Sequence, residues 1–279
     1  MIAPVPGALW QGVTVPSPML QGGIAVLLAV DVGNTQTVLG LFDDTELAAH
    51  WRISSNAGLT GDELRVEVAG LLGFSGRTWD DVDEIILASV VPRLTSAWED
   101  AALSAGGRPV WVVGPGLKTG MPIRYDNPHE VGADRVVNGV AAYEAFGGPV
   151  IVVDFGTATT IDVISEDGAY LGGAIAPGVE TSAEALFSKA ARLSKVDLEA
   201  PDRVIGTNTR ASVQAGLLLG EAAMVDGLVR RVWAELGREA PVVATGGLAP
   251  SMAPLCETVG HVDVDLTLEG LRLIRERNR

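Results

Sequence analysis

The most informative segment of the chain is Leu27-Leu28-Ala29-Val30-Asp31-Val32-Gly33-Asn34-Thr35-Gln36-Thr37. Its first part is short, apolar and rich in branched residues, a pattern typical of a buried strand. Gly33 lacks a Cβ, so the chain can turn sharply there and bring its backbone close to a ligand. The polar residues that follow supply amide and hydroxyl groups. The stretch therefore predicts a hairpin that handles phosphate, with Asp31 at the strand end facing a hydrated divalent cation.

The same order of residue types returns in Val150-Ile151-Val152-Val153-Asp154-Phe155-Gly156-Thr157-Ala158-Thr159-Thr160. A further apolar segment follows each copy, Val38 to Phe42 in the first and Ile161 to Ile164 in the second. One Asp-x-Gly after a strand is a weak signal, because Asp and Gly are ordinary turn residues. Two copies, each heading one half of the chain, favour a duplicated domain with a nucleotide between the halves.

Composition limits the classes of protein that this chain can be. Its 279 residues form one large domain or two of ordinary size, and 47% apolar with 20% charged residues describes a globular protein. The formal net charge of -15 argues against nucleic acid or an anionic membrane as the main partner. Cys256 is the only cysteine, so no internal disulfide can form. We therefore expect a cytoplasmic protein.

Residues 1–26 differ from the rest of the chain. They are rich in Pro and Gly and contain no Lys or Arg, so they do not resemble a secretory signal. Their apolar run, Ile24 to Val30, is far shorter than the ~20 residues of a membrane helix. We expect this segment to be a flexible extension that contributes little to the fold.

Apolar periodicity predicts an α/β chain with two similar halves. The first half is expected to begin with a hairpin over Ile24 to Phe42 and a third strand over Glu46 to Ile53, followed by a helix capped by Thr60 and Glu63. A strand over Ile85 to Val91, ended by Pro92, comes next. A helix from about Leu94 to Ala105 and a strand over Val110 to Val113 complete this half. A helix from about Asp134 to Phe146 then leads into the second half. That half is expected to repeat the order with strands in Val150 to Val153, Ile161 to Ile164 and Gly168 to Gly178, helices from about Val179 to Ala191 and Arg210 to Leu236, and a strand from Val242.

Several familiar site signatures are missing from the sequence. There is no G-x-x-x-x-G-K-[ST] loop and no G-x-G-x-x-G opening a helix. The three histidines and the single cysteine lack the spacing of a zinc site. If ATP binds, the paired Asp-x-Gly hairpins must therefore hold it, with Thr245-Gly246-Gly247 close to the adenosine.

Five motifs, taken together, resemble those of type III pantothenate kinases. They are Asp31 to Thr35, Tyr125-Asp126-Asn127-Pro128, Gly132-Ala133-Asp134-Arg135, Asp154 to Thr159 and Gly206-Thr207-Asn208-Thr209. The resemblance runs from about Leu27 to about Ile274. It implies the superfamily of acetate and sugar kinases, Hsc70 and actin, with two ribonuclease H-like (actin-like ATPase) domains, each a mixed sheet with flanking helices. We expect an N-terminal lobe over residues 27–147 and a C-terminal lobe over 148–279.

The resemblance also implies roles for individual residues. ATP, with Mg²⁺ near Asp31, would be bound by Asp31, Val32, Gly33, Asn34, Thr35, Gln36, Thr37, Val38 and Thr157. Asp154 would help to hold a monovalent cation, K⁺ or NH₄⁺. Pantothenate would contact Tyr125, Gly132, Ala133, Asp134, Arg135 and Thr209, with Asp134 as the general base. The family is typically a homodimer with pantothenate sites at the subunit interface.

Plainer interpretations remain open for these residues. Asp134, close to a helix start, could be an N-cap or a partner of the helix dipole. Arg135 could meet the pantothenate carboxylate or a phosphate, or form a surface ion pair of little value. Tyr125 could serve only in packing. For the whole chain, the alternatives are a non-catalytic transcription accessory protein on the same scaffold and a kinase of another small hydroxyl compound.

Overall fold

The computed structural model describes residues 25–190 and 196–279. The predicted N-terminal extension, except for its last two residues, lies outside the described residues. So does Ala191, the predicted end of one helix.

The first half contains a five-stranded mixed sheet. Its strands are β1 (Val26–Val32), β2 (Gln36–Asp43), β3 (Glu46–Ser54), β4 (Glu84–Ser89) and β5 (Val110–Val112). Their order in the sheet is β3-β2-β1-β4-β5. The three strands of the N-terminal meander pair antiparallel, whereas β4 pairs parallel with both β1 and β5. The buried β1 therefore lies at the centre of the sheet. The turn predicted to bind phosphate follows its carboxyl end.

Two helices connect the strands of this half, α1 (Gly61–Phe74) and α2 (Pro92–Ser104). The predicted capping box forms, because Thr60 accepts from the Glu63 backbone and Glu63 accepts from the Thr60 backbone. The prediction that α2 begins near Leu94 was wrong by one half-turn. Pro92 occupies the first turn of the helix, where its missing N–H has no intrahelical acceptor to lose.

The second half repeats this sheet. Strands β6 (Val150–Phe155), β7 (Ala158–Ile164), β8 (Tyr170–Pro177), β9 (Val242–Thr245) and β10 (His261–Val262) have the order β10-β9-β6-β7-β8. Each strand has a counterpart in the first sheet at the corresponding position, with the same parallel or antiparallel pairing. The predicted duplication and fold class are confirmed.

The remaining helices are α3 (Ala133–Phe146), α4 (Val179–Lys189), α5 (Thr209–Gln214), α6 (Gly220–Leu236), α7 (Ala249–Met252) and α8 (Leu266–Glu276). A π-helical turn, Ala215–Leu219, joins α5 to α6. The predicted helix from Arg210 to Leu236 is thus continuous but widens around Gly216. By length and composition alone Thr209–Leu236 could cross a membrane. Its apolar side chains, such as Val225 and Val229, pack instead in the core of the second sheet.

Helices α3 and α8 lie between the two sheets. They touch so closely that a Cβ on Gly270 of α8 would collide with the Val137 carbonyl oxygen of α3. One apolar core joins residues of both sheets and both helices, including Ala29, Val152 and Leu271. This shared core fixes the two acidic turns relative to each other. Because α8 comes from the second half and packs on the first sheet, the lobe boundary at residues 147 and 148 stays a prediction.

Candidate active site

The two repeated turns meet at their tips. Thr35 Oγ1 in the β1–β2 turn lies 2.8 Å from Thr157 Oγ1 in the β6–β7 turn. The Thr157 carbonyl accepts in turn from the Thr181 hydroxyl at 2.7 Å, which ties the second turn to the start of α4. This contact between hydroxyl groups joins the two repeats at the junction of the sheets.

A cavity of about 680 Å³ lies at this junction. Its lining comes from both turns, from the start of α3 and from the loop after β9: Asp31, Gly33, Asn34, Thr35, Gln36, Val38, Arg52, Asp134, Arg135, Asp154, Thr157, Thr160, Glu180, Thr181, Thr245, Gly246, Gly247 and Thr267, with several apolar neighbours. Most of the predicted ATP-binding residues are therefore brought together. Val32 and Thr37 are the exceptions, because both are buried beside the cavity and do not line it.

Three aspartates converge on the cavity. Burial, followed by repulsion from Asp134 and Asp154, raises the pKa of Asp31 to about 8. Burial, followed by repulsion from Asp134 and Asp162, raises the pKa of Asp154 to about 7. Burial also raises the pKa of Asp134 above its ordinary value. Such a cluster resists full ionisation unless a cation enters it.

The two turn acids differ in their support. Asn138 of α3 donates from Nδ2 to Asp154 Oδ2 at 3.1 Å, and its own amide oxygen accepts from the Thr267 hydroxyl of α8 at 2.7 Å. Asp154 is therefore held in place through both central helices. Among the described residues, Asp31 receives no comparable side-chain hydrogen bond.

Asp134 lies in the first turn of α3. The N-cap interpretation was wrong, because Gly132 occupies that position. The carboxylate of Asp134 instead accepts from the Arg135 backbone N–H at 2.9 Å. Its favourable position near the helix dipole is consistent with the second plain interpretation. The carboxylate nevertheless opens on the cavity that contains Asp31 and Asp154, where it can accept a proton.

Arg135 forms a buried ion pair. Its Nε donates to Asp162 Oδ1 at 2.7 Å, and Nη2 lies 2.6 Å from the same oxygen. Asp162 is completely buried and also accepts from the hydroxyls of Tyr170 and Thr160. The interpretation of Arg135 as a surface pair of small value was therefore wrong. The guanidinium is fixed at the cavity wall, one residue from Asp134.

We call the cavity lined by the two acidic turns the main cavity. Four of the predicted pantothenate contacts lie outside it. Tyr125 packs at an angle against Tyr170, with 6.2 Å between ring centroids. Gly132 and Ala133 precede Asp134 without lining the cavity. Thr209 lines a second cavity of about 810 Å³, formed by α4, α5, the π-helical turn and the Gly206–Asn208 loop. This chain alone thus brings Asp134 and Arg135 together with the predicted ATP-binding residues, but not Thr209.

Sequence reasoning missed Asn138, Asp162 and Arg52. Asp162 carried a usable signal, since an acid inside the apolar strand Ile161 to Ile164 requires a buried partner. Asn138 is 1% exposed among the apolar residues of α3, and its amide needed a partner for the same reason. Arg52 carried no signal, because an arginine on an exposed strand is ordinary.

Comparison with known proteins now supplies the family. The family model for type III pantothenate kinase matches residues 27–231. The chain belongs to the type III pantothenate kinase family. A type III pantothenate kinase of Moorella thermoacetica is 52% identical over 253 residues, covering 91% of this chain and 100% of that protein. That of Syntrophotalea carbinolica is 50% identical over 254 residues, with the same coverage.

Solved structures share the fold at low identity. A Campylobacter jejuni protein described as a Baf family transcriptional activator gives a TM-score of 0.59 at 18% identity, covering 90% of this chain and 98% of its own. An N-acetylglucosamine kinase of Porphyromonas gingivalis gives 0.50 at 12% identity, covering 90% and 99%. These likenesses show that this chain shares its fold with a protein described as a transcriptional activator and with a protein described as a sugar kinase.

The donor set suits the cations of a kinase. No group of three or more His, Cys, Asp or Glu side chains forms a ready-made metal cage within residues 25–190 and 196–279. Mg²⁺ in kinases does not need such a cage, because it keeps several waters and binds one or two carboxylates plus substrate phosphates. Asp31 and Asp154, with their raised pKa values, provide the negative charge that a cation would stabilise.

Proposed function

We propose that this pantothenate kinase family member transfers the γ-phosphoryl group of ATP to the primary hydroxyl of pantothenate. The product is 4′-phosphopantothenate, and the reaction is the first step toward coenzyme A. The observation that carries the proposal is the meeting of both acidic turns with Asp134 in one cavity. The relatives that are about 50% identical over nearly the whole chain supply the acceptor.

The nucleotide would bind across the contact between the turns. Backbone amides and hydroxyls of Asp31 to Val38, together with Thr157, suit a triphosphate, because phosphoryl transfer depends on positioning and on neutralised charge. Asp31 would hold Mg²⁺, which supplies charge neutralisation on the phosphate oxygens. Asp154, anchored by Asn138, would hold a monovalent cation, K⁺ or NH₄⁺.

The acceptor would bind on the α3 side of the cavity. Asp134 would orient the hydroxyl and accept its proton, and its raised pKa brings it closer to neutral pH, where a general base works best. Arg135 would meet the pantothenate carboxylate with donors that Asp162 leaves free. Tyr125, Gly132 and Ala133 would form the neighbouring wall.

A homodimer would complete this acceptor site. Thr209 lies at the second cavity, apart from Asp134. Both residues can contact one pantothenate molecule if Asp134 comes from one subunit and Thr209 from the other. Val204 and Ile205, beside that cavity, are 73% and 81% exposed, which is unusual for large apolar side chains unless they are covered by a partner. The proposed location of the enzyme is the cytoplasm, and no nucleic acid or membrane takes part.

Release of ADP in a coupled assay tests the reaction. With pantothenate, Mg²⁺ and K⁺ present, we expect turnover, and Asp134→Asn should lose about 10²–10⁴-fold in kcat while its thermal unfolding is unchanged, because it removes only the proton acceptor. Glu99→Gln is the control, because Glu99 is an exposed acid on α2 that lines neither cavity. Absence of turnover with pantothenate, or preference for acetate or a sugar, would contradict the proposal. Retention on DNA without kinase activity would favour the regulatory alternative.

A further inference from the structure

Arg52 reaches across the junction of the two sheets. It belongs to β3, the edge strand of the first sheet, yet its guanidinium lines the main cavity. On the far side it touches the loop after β9 of the second sheet. A Cβ placed on Gly247 would collide with Arg52 Nη1. One side chain therefore links the two halves at the cavity.

Arg52 forms no direct ion pair within the described residues, although its charge acts at longer range to lower the pKa of Asp31 and of Asp154. The lining contains four carboxylates, Asp31, Asp134, Asp154 and Glu180, and two guanidinium groups, Arg52 and Arg135. Arg135 is already paired with Asp162. No carboxylate within the described ranges lies within 4.0 Å of the Arg52 guanidinium nitrogens; its partner is the neutral amide oxygen of Gln36, 3.0 Å from Nη1.

The position of Arg52 points to phosphate. Gln36 belongs to the turn whose amides are proposed to hold the triphosphate, and it uses only one of the five N–H donors of the guanidinium. The remaining donors form a planar fork that matches phosphate oxygens in pairs. Gln36 thus orients the group without neutralising its charge.

We propose that Arg52 binds the polyphosphate of the nucleotide and that its contact with Gly247 holds the two halves together around it. The inference rests on the proposed kinase function and adds to it a residue that the family motifs did not assign. The carboxylate of the acceptor is the other anion of this site, and the experiment below separates the two.

Gly247 offers a probe of this contact, and AMP binding serves as the check on the adenosine, which Gly247 is also predicted to approach. Its backbone does not lie in the left-handed region, and the atom that a Cβ would meet is the far end of the Arg52 side chain, with Gln36 Oε1 next at 3.6 Å. Gly247→Ala should therefore displace the guanidinium without straining the chain. Gly246 cannot serve this purpose, because its φ is +90° and a Cβ would collide with the Asp154 carboxylate.

Calorimetric binding of ATP, ADP and AMP, with Mg²⁺ and without pantothenate, tests the proposal. Arg52→Gln should weaken ATP binding about 10- to 100-fold, as expected for a lost hydrogen bond between charged groups. ADP should lose less and AMP almost nothing. Arg52→Lys should recover part of the loss, because it restores the charge without the fork. The KM for pantothenate should not change.

Gly247→Ala should show the same selectivity for ATP, and the double variant should lose less than the sum of the two single losses, because both act on one contact. Arg231→Gln is the control, since Arg231 is an exposed arginine on α6 and lines neither cavity. Thermal unfolding of each variant checks that it folds.

The outcomes separate this inference from the function on which it rests. Unchanged ATP affinity in a folded, active Arg52→Gln overturns the inference and leaves the kinase intact. Equal losses for ATP, ADP and AMP also overturn it, because they place Arg52 on the nucleoside monophosphate that all three share and not on the terminal phosphates. A raised KM for pantothenate with normal ATP binding assigns Arg52 to the acceptor instead. If the unmodified protein neither binds ATP nor turns over pantothenate, both proposals fail.

Discussion

The β1–β2 turn and the β6–β7 turn share the same order of residue types but have different surroundings. Each follows the central strand of its sheet, and each carries an aspartate with a pKa raised mainly by burial. Asp154 is anchored by Asn138 at 3.1 Å, whereas Asp31 has no such anchor among the described residues. The repeat thus carries two similar acids, but packing fixes Asp154 through Asn138 and leaves Asp31 without such a hydrogen bond among the described residues.

The partner strands differ at one equivalent position. Ala29 of β1 lies two residues before Asp31 and pairs with Gly40 of β2. Val152 of β6 lies two residues before Asp154 and pairs with Asp162 of β7. Gly40 leaves room for Leu268 of α8, since a Cβ there would lie 2.8 Å from a Leu268 methyl. Asp162 receives Arg135 of α3. The same position therefore serves helix packing in one half and supports the candidate acceptor site in the other.

Replacing each turn acid should separate their roles and give the largest effect. Asp31→Asn should lower kcat/KM at least about 10³-fold, because metal-assisted charge stabilisation is worth several kcal/mol, and excess Mg²⁺ should recover part of it. Asp154→Asn should abolish the advantage of K⁺ over Na⁺ that we expect in the parent enzyme. Titrating Mg²⁺ and K⁺ in the assay measures both. Identical cation responses in the two variants would mean that the acids are not specialised.

Alanine at the equivalent strand positions should affect stability unequally. Asp162→Ala leaves Arg135 buried without its carboxylate and should cost about 3–5 kcal/mol of unfolding free energy. Gly40→Ala should cost about 1–3 kcal/mol, because only the side chains of Leu268 and Leu47 must move. Urea unfolding measures both variants, with Asp126→Asn as an exposed control. Equal costs would contradict the assignment of an ion-pair role to Asp162 and a packing role to Gly40.

Removing the anchor should make the second turn behave more like the first. Asn138→Ala deletes the donor to Asp154, and we expect about a 10-fold loss of activity, the low end for outer-shell partners of ion-binding groups. The K⁺ concentration for half-maximal activity should rise, and that for Mg²⁺ should not. Thr267→Val, which removes only the hydroxyl that donates to Asn138, should show a smaller change. A loss confined to Mg²⁺ dependence would reverse the assignment of the two turns.

The pH dependence of stability gives the smallest effect. The folded-state pKa values of Asp31 and Asp154, about 8 and about 7, exceed the ordinary value of 3.8. Between about pH 4 and pH 8 the folded protein thus binds more protons than the unfolded chain, so these acids make the ligand-free protein less stable as pH rises. Asp31→Asn should raise Tm by at least about 2 °C at pH 8 and by little at pH 5. A lower Tm for this variant at pH 8 would contradict the burial argument.

Much of the fold could be predicted because its signals are local. Alternation, short apolar runs and turn residues located the strands, and the repeated order of those signals gave the duplication. The small errors have local causes too, as at Pro92, which starts α2, and at the π-helical turn, which a helical period does not reveal. The site was predicted less completely. Motif residues such as Asp31 were found, but the partners that hold them, such as Asn138, were not.

Local sequence patterns are enough to predict the two acidic turns, the strands that carry them and the repeat of one pattern across the chain. The folded structure is needed to see that Asn138 holds Asp154, that Asp162 holds Arg135 and that Arg52 reaches Gly247. The physical reason is that periodicity says which side of an element is buried but not what it is buried against. Those partners are chosen by the packing of α3 and α8 between the sheets, through contacts between residues far apart in the chain.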